Sequence, residues 1–409
     1  MKWVDIVIVG GGQAGLAIGN CLARRGIDYV ILERGEIAER WRSERWDSLR
    51  LLTPNWMTRL PGWSYTGEQP DQFMPARDLA GFLGGYARSF TAAVETHTTV
   101  TAVTQDGDGY RVVTDRGTWI ARGVVIATGH CDVPIVPQFG SVLPRETFQL
   151  ASAHYKRPSQ LADGSVLVVG GSSSGLQIAE ELRKDGREVT LSVGQHTRLP
   201  RRYRGRDIMW WLDAIGSFDD PPPPDDAGMH QPSLQLVGSD DNHSLDLARL
   251  EQSGVRIVGR CAAASSSRLR FDASLARTVV ASDAKLQRLL TRIDSFINAN
   301  GLDSPPAEGE GAPLRLTKPA KTADLAVPTN VIWATGYRRD YSWLHVPVLN
   351  ARREISHFGG ATPARGLYVL GLRFLKRRSS NFIDGVGRDA ADMAQTICDD
   401  LRMARPQAA

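Results

Sequence analysis

The chain has 409 residues, of which 42% are hydrophobic and 23% charged, and a formal net charge of +4 at pH 7. This composition is typical of a globular protein of two or three domains and excludes a disordered or collagen-like chain. No apolar run approaches the roughly 18 residues of a membrane-spanning helix. The small charge surplus gives no reason to expect a nucleic-acid partner.

The four cysteines lie far apart in sequence and show neither CxxC nor zinc-site spacing. We therefore expect free thiols in a reducing compartment and no metal site. An apolar strand begins by residue 3, with no basic and apolar leader before it, which argues against a secretory signal. Together these features predict a cytoplasmic protein.

The first elements of the chain form a strand, a glycine-rich turn and a helix. A β-branched run over residues 4–9 precedes the turn 10–15, GGGQAG, which fits G-x-G-x-x-G; we call this turn the first cradle. In this motif the glycines make the turn, admit a pyrophosphate and let the helix pack closely. The next strand ends at Glu33, which can accept hydrogen bonds from an adenosine ribose, whereas the alternative interpretation is a structural glycine turn. The residues that we predict to bind a dinucleotide here are Gly10, Gly12, Gln13, Ala14, Gly15, Glu33 and Arg34.

The same pattern returns about 160 residues later. The strand 165–169 leads into the turn 170–175, GGSSSG, which we call the second cradle. The position equivalent to Glu33 falls at Ser192 or Val193, and neither residue is acidic. The residues predicted to bind the second dinucleotide from this turn are Gly170, Ser172, Ser173, Ser174 and Gly175.

A basic stretch follows the second cradle, with five arginines in residues 198–206. A missing carboxylate and nearby guanidinium groups favour NADPH over NADH, because arginine binds phosphate in a bidentate manner. We therefore expect Arg198 and Arg201 to hold the 2′-phosphate. The alternatives are a solvated loop beside an NADH site and an RNA-binding patch.

Two further segments are expected to close a flavin site. Residues 124–130 and 331–337 are apolar strands that end in Ala-Thr-Gly, and the first of them places Gly129 near the cofactor. Near the C-terminus, Phe382 opens an amphipathic helix. Two cradles in one chain predict FAD under the first and NADPH under the second, with hydride transfer between them.

Residues 40–55, RWRSERWDSLRLLTPN, carry the most specific pattern. They resemble the W-x(4)-W/Y-D-S-L-x-L-x-T-P segment of class B flavin monooxygenases, which include flavin-containing monooxygenases, plant auxin-forming relatives and Baeyer–Villiger enzymes. The resemblance implies that Trp41, Thr53 and Asn55 lie beside the flavin and that Asn55 takes part in catalysis.

The resemblance also implies an α/β fold with two Rossmann-like domains. The FAD domain would comprise residues 1–160 and 331–409, and the NADPH domain, 161–330, would be inserted into it. The implied activity is N-, S- or Baeyer–Villiger oxygenation of a small molecule by O2 through a C4a-(hydro)peroxyflavin. The tryptophans of residues 41–63 favour a lipophilic or aromatic substrate, and the chain could form a homodimer. The alternatives are a reductase that passes electrons to a quinone, a protein or O2, and a flavoprotein without catalytic activity.

One motif of these monooxygenases, F-x-G-x-x-x-H-x-x-x-Y/W, is altered in residues 145–155. Tyr155 keeps the terminal aromatic position and is expected to be catalytic, whereas Ala151 stands in place of the histidine. His154, three positions later, is either a displaced functional imidazole or a surface residue.

The region 207–330 is read only as coarse elements. The sequence predicts a helix over 207–213, an acidic proline segment over 219–226 and a helix followed by a strand over 245–261. It further predicts a long amphipathic helix over 283–300 and an exposed loop over 301–325. These parts could form the roof of a substrate site.

Overall fold

The computed structural model describes residues 1–223, 234–317 and 322–403. Two sheets rich in parallel strands organise the chain, and helices pack against them. The α-helices are α1 (Gln13–Ala23), α2 (Glu39–Ser43), α3 (Ala76–Ser89), α4 (Ser173–Lys184), α5 (Ile208–Ala214), α6 (Leu247–Gln252), α7 (Leu275–Ala299) and α8 (Ile383–Met403). Short 3-10 turns are Asn55–Met57, Gln138–Val142, Pro158–Gln160 and Ser217–Asp219.

The strands are short except in the first sheet. In chain order they are β1 (Lys2–Val9), β2 (Tyr29–Leu32), β3 (Arg59–Leu60), β4 (Trp63–Ser64), β5 (Val94–Glu95), β6 (Val100–Asp106), β7 (Gly109–Thr114), β8 (Gly117–Ile126), β9 (Val133–Pro134), β10 (Phe148–Ala151), β11 (Val166–Val169), β12 (Val189–Ser192), β13 (Thr197–Arg198), β14 (Arg202–Tyr203), β15 (Arg206–Asp207), β16 (Leu234–Gln235), β17 (Arg256–Val258), β18 (Cys261–Ala264), β19 (Arg268–Phe271), β20 (Ala323–Ala326), β21 (Asn330–Trp333), β22 (Tyr337–Arg338) and β23 (Leu367–Val369).

The first sheet has the strand order β5-β2-β1-β8-β7-β6, and β23 also pairs with β8. The strands β5, β2, β1, β8 and β23 run parallel, whereas β6 and β7 add an antiparallel edge. Because helices cover the parallel part, β1 and β2 are apolar nearly throughout. The helices α1 and α8 contact each other beside this sheet.

The second sheet is parallel throughout, with the order β10-β21-β11-β12-β17. The strands β10 and β21 both lie in this sheet, so its strands come from residues 148–333. The domain boundaries at residues 160 and 331 stay a prediction.

The region after the second cradle differs in part from the prediction. The helix expected over 283–300 begins earlier, because α7 (Leu275–Ala299) keeps its apolar face through Leu275 and Val279. The expected loop 301–325 ends in the strand β20. Residues 224–226 of the acidic proline segment and 318–321 of the loop lie outside the described residues. In the described ranges no helix is long and apolar enough to cross a membrane.

Candidate active site

The first cradle has the geometry that its glycines predict. Gly10 has φ +108°, and a Cβ on it would lie 2.8 Å from the carbonyl oxygen of Ala127. A Cβ on Gly15 would lie 1.9 Å from the carbonyl oxygen of Gly10, so α1 packs closely against the turn. Gly12 faces open space within 4 Å. The turn therefore leaves room for a phosphate at the start of α1, where unpaired N–H groups favour an anion.

Glu33 follows β2 at the carboxyl edge of the first sheet. Its Oε2 accepts a hydrogen bond of 2.6 Å from the N–H of Gly11, and its Oε1 accepts one of 3.0 Å from the N–H of Gly35. Two backbone donors thus fix the carboxylate beside the cradle. The remaining lone pairs of its oxygens are available to the hydroxyls of a ribose.

A cavity of about 1080 Å³ opens at this edge of the sheet. The predicted residues that line it are Gly10, Gly12, Gln13, Ala14, Glu33, Arg34, Trp41, Thr53, Gly129 and Phe382. They come from segments that are hundreds of residues apart, and the fold brings them to one wall. Gly15 instead packs behind the wall against Gly10.

The segment that carries the Trp-Asp-Ser-Leu motif contributes to this wall in part. Trp41 donates its Nε1–H to Oε1 of Gln13 at 3.3 Å, which ties the motif to the cradle. Asn55 is buried, donates its Nδ2–H to the carbonyl oxygen of Gln69 at 2.9 Å, and has an Oδ1 without a partner among the described residues. It stands outside the set of residues that line the cavity.

Another part of the cavity wall comes from α5 and α7. Their apolar side chains line it together with Phe218, whose ring meets that of Phe382 edge-on at 5.7 Å between centroids. Three basic residues of α7, Lys285, Arg288 and Arg292, also line it. The helix was predicted from sequence without a function for its basic residues, although their spacing places them on one side.

His130 also lines the cavity and was not predicted from sequence. Burial and the neighbouring guanidinium groups of Arg373, Arg339, Arg45 and Arg40 lower its pKa to about 3. The imidazole is therefore neutral near pH 7. His130 directly follows Gly129 of the Ala-Thr-Gly segment, and this position could have identified it from the sequence as a cavity residue.

The second cradle repeats the first. Gly170 has φ +126°, and a Cβ on it would lie 2.2 Å from the carbonyl oxygen of Ala334. A Cβ on Gly175 would lie 1.8 Å from the carbonyl oxygen of Gly170. Each Ala-Thr-Gly segment thus closes against the first glycine of one cradle, Ala127 on the first and Ala334 on the second.

The residue equivalent to Glu33 is Val193. A Cβ on Gly11 would lie 3.0 Å from Cβ of Glu33, and a Cβ on Gly171 would lie 2.7 Å from Cγ1 of Val193. The position that carries a carboxylate in the first cradle is therefore apolar in the second.

Strands β13 and β16 lie next to the second cradle. Gln235 donates its Nε2–H to the carbonyl oxygen of Gly171 at 2.5 Å. Ser173 donates its hydroxyl to the carbonyl oxygen of Leu236 at 3.2 Å. These bonds fix the turn, so Ser173 supports the cradle through its side chain.

Arg198 and Arg201, which are expected to hold the 2′-phosphate, both form ion pairs with carboxylates of the chain itself. The side chain of Arg198 is 9% exposed and pairs with Asp283 at 2.7 Å. That of Arg201 is fully buried, pairs with Asp207, and donates to the carbonyl oxygen of Leu52 at 2.8 Å. Both guanidinium groups thus neutralise carboxylates inside the protein.

Tyr155, which is expected to be catalytic, is held by a residue of α4. Its side chain is fully buried, and its hydroxyl donates to Oε2 of Glu181 in α4 at 2.7 Å. Burial and this carboxylate raise the pKa of Tyr155 well above its ordinary value. Tyr155 therefore connects the segment 145–155 to α4, and it does not line the cavity. His154 is exposed, and Ala151 is buried in β10.

Comparison with known proteins agrees with this architecture. An oxidoreductase of Geobacillus kaustophilus named CzcO-like is 32% identical over 96% of this chain and 98% of its own length. The indole-3-pyruvate monooxygenase YUCCA1 of Oryza sativa is 34% identical over 50% of this chain and 51% of its own length. These similarities and the structural one below confirm the resemblance to flavin monooxygenases that residues 40–55 indicate.

A flavin-containing monooxygenase from Stenotrophomonas maltophilia has the same fold. It superimposes with a TM-score of 0.69 at 22% identity, over 98% of this chain and 99% of its own. The predicted α/β fold with two Rossmann-like units is thereby confirmed, as are the oxidoreductase class and the FAD and NADPH pair. Residues 7–213 match the family model described as pyridine nucleotide-disulphide oxidoreductase. The chain belongs to the pyridine nucleotide-disulphide oxidoreductase family.

Proposed function

We propose that this chain is an FAD- and NADPH-dependent monooxygenase of a small, lipophilic molecule. The observation that carries the proposal is the single cavity that runs from the first cradle to the apolar wall of α5 and α7. Its volume of about 1080 Å³ exceeds the usual range of roughly 300–1,000 Å³ for one ligand. A cofactor and a second molecule can therefore share it.

The residues present fit FAD. The open space at Gly12 and the start of α1 would receive the pyrophosphate, and Glu33 would accept the ribose hydroxyls. Trp41, Thr53 and Phe382 would border the ring system. The N-terminus of α8, with its positive dipole end, would stabilise negative charge on the ring.

The second cradle would hold NADPH. Gly170 and Gly175 keep the turn free of side chains, and Ser172, Ser173 and Ser174 form the start of α4, whose N–H groups favour a phosphate. Val193 offers no carboxylate that would repel a 2′-phosphate. We propose NADPH as the preferred nucleotide on this ground.

Bound FAD would supply the capacity to accept a hydride from NADPH and to react with O2, which is chemistry that no side chain supplies. The protein contributes position and an environment with little water. Met209, Leu212, Phe218 and Leu289 form the apolar part of the wall where a substrate would lie. Excluding water there protects a reactive oxygen species from hydrolysis and from loss as peroxide.

Asn55 and Tyr155 would act on this site indirectly. Asn55 holds the 69–72 segment through its bond to Gln69, and its unpaired Oδ1 remains available to a donor that approaches it. Tyr155 holds α4 through Glu181. We therefore propose positioning roles for both.

A reductase that oxygenates no substrate is the second candidate. It is favoured by Ala151, because the strand β10 carries no imidazole at the position of the motif histidine. The two functions differ in the fate of oxygen. A monooxygenase would yield one sulfoxide per NADPH from methyl phenyl sulfide, whereas the reductase would yield one H2O2 per NADPH with or without the sulfide.

The cellular compartment and the oligomeric state of the protein remain proposals. The described cysteines are free thiols, and Cys21, Cys261 and Cys398 are buried, which supports the expectation of a reducing, cytoplasmic environment. A homodimer remains a prediction, and sedimentation of the purified protein would test it.

A further inference from the structure

The helix α7 contributes a group of basic side chains to the cavity wall. Lys285, Arg288 and Arg292 of α7 line it, and we call them the α7 basic row. Their spacing of three and four residues places them on one side of the helix. All three residues are exposed to solvent.

The apolar face of α7 fixes the direction of this row. Leu286, Leu290, Ile293 and Ile297 are buried in a core that includes Trp211 and Met209 of α5. Because this face is anchored, the helix cannot rotate to carry its basic side away from the cavity. Leu286 and Leu289 reach the same cavity, so cationic and apolar surface are adjacent on one wall.

The row is poorly neutralised by the protein. Arg292 has one distant ion pair, 3.8 Å to Asp220, and that carboxylate is already held by Arg378 at 3.1 Å. Within the described ranges neither Lys285 nor Arg288 forms an ion pair. The neighbouring carboxylates on α7 are used elsewhere, Asp283 by Arg198 and Asp294 by Arg204.

The acidic residues that line the cavity are Glu33, Glu39, Asp132 and Asp340, and none of them belongs to α5 or α7. Arginines also line the cavity near the first cradle, but Arg34 and Arg40 pair there with Asp132. Cations grouped beside a low-dielectric wall concentrate the field in a cleft and attract an anion. The α7 wall thus presents apolar and cationic side chains without a lining carboxylate of its own.

We propose that the substrate is an amphipathic anion, with an apolar body against α5 and α7 and a carboxylate held by the α7 basic row. This inference rests on the proposed function and adds the chemical class of its substrate. Charge-assisted hydrogen bonds from Lys285 and Arg288 would hold the carboxylate, and Arg292 would add to the field. The apolar body would then extend along Leu289 toward Phe382.

The test uses the FAD-loaded protein and two matched probes. The probes are 3-(phenylthio)propanoate and its neutral amide, and binding is read from the change in the flavin absorption spectrum. The unmodified protein should bind the carboxylate more tightly than the amide. In Lys285→Gln/Arg288→Gln the affinity for the carboxylate should fall about 10- to 100-fold, the range of one or two charge-assisted hydrogen bonds, while the affinity for the amide stays the same.

Arg277→Gln is the matched control. It removes an exposed charge from the same helix, eight residues and about 12 Å along the axis from Lys285, outside the cavity wall. It should leave the affinity for both probes unchanged. Equal affinity of the unmodified protein for both probes, or no binding of the carboxylate, would overturn the inference.

Two further results separate this inference from others. If the double variant weakens NADP⁺ binding and not that of the carboxylate probe, the row serves the nucleotide phosphate and the inference is wrong. If the carboxylate preference is present but no sulfoxide ever forms, the anion site stands and the proposed monooxygenase function fails. If sulfoxide forms from both probes at equal affinity, the function stands and the anion site fails.

Discussion

The hydroxyl of Tyr155 donates a hydrogen bond of 2.7 Å to Oε2 of Glu181. The other carboxylate oxygen of Glu181 accepts a bond of 2.7 Å from the hydroxyl of Ser48, which belongs to the Trp-Asp-Ser-Leu segment. Glu181 of α4 therefore connects the segment 145–155 to the segment 40–55.

Replacing Tyr155 with Phe tests this structural role. The variant leaves the partly buried carboxylate of Glu181 with one donor fewer, and the free energy of unfolding should fall by about 1.5 kcal/mol. The rate of flavin reduction by NADPH should change little, because Tyr155 lies outside the cavity wall. Urea unfolding and anaerobic stopped-flow absorbance measure the two quantities. A large loss of reduction rate at unchanged stability would restore the catalytic interpretation.

Arg198→Ala separates a buried ion pair from a phosphate site. Removing the guanidinium leaves Asp283 uncompensated and should lower the free energy of unfolding by about 3 kcal/mol or more. The ratio of kcat/KM for NADPH over NADH should stay the same. Arg202→Ala removes an exposed arginine of the same stretch and serves as the control. A collapse of the NADPH preference in Arg198→Ala alone would show that the side chain reaches the nucleotide.

Val193→Glu places in the second cradle the carboxylate that Glu33 provides in the first. A carboxylate there would repel a 2′-phosphate and accept hydrogen bonds from a 2′-hydroxyl. The preference for NADPH over NADH should fall about tenfold or more, which corresponds to ~1.4 kcal/mol. Val193→Gln has the same shape without the charge and should shift the preference less. Steady-state kinetics with both nucleotides decide, and an unchanged ratio would argue against this location of the 2′-phosphate.

His243 gives the stability a dependence on pH. Hydrogen bonds from its ring to Glu180 and to Asp241 raise its pKa above 6.5 in the folded chain. The folded state then holds a proton that the unfolded state releases, so this contribution is complete below pH 6.5 and is lost as the pH rises through the folded pKa. In His243→Gln the free energy of unfolding should decline less between pH 6 and pH 9. The exposed His154→Gln is the control, and equal declines in all three proteins would contradict the assignment.

The cradles could be predicted from sequence because their constraints are local. Gly10 and Gly170 need positive φ, and Gly15 and Gly175 need the absence of a Cβ, so the residue types identify the turns. The place of Glu33 beside the first cradle also follows from sequence, since it ends the strand after the turn.

The ion pairs of the arginines could not be predicted in this way. Arg198 pairs with Asp283 and Arg201 pairs with Asp207. The pair of Arg198 and Asp283 depends on tertiary structure, because the two residues are far apart in sequence. Sequence reports that a guanidinium exists but not whether a carboxylate has already neutralised it. The same holds for Tyr155, whose partner Glu181 is 26 residues away.

The sequence shows that the residues of the α7 basic row have the spacing of one helix side, but it does not show that they line a cavity. A charged stripe on an amphipathic helix ordinarily faces solvent. Only the packing of α7 against α5 shows that this stripe borders a cavity.

The most direct test of the central claim follows the oxygen atoms. The FAD-loaded protein is supplied with NADPH, ¹⁸O2 and 3-(phenylthio)propanoate, and the product is analysed by mass spectrometry while H2O2 is quantified. The account predicts a sulfoxide that carries one ¹⁸O atom, formed in proportion to the NADPH consumed. NADPH oxidation that returns all of its electrons as H2O2, with this probe, its amide and methyl phenyl sulfide alike, would contradict it and identify a reductase.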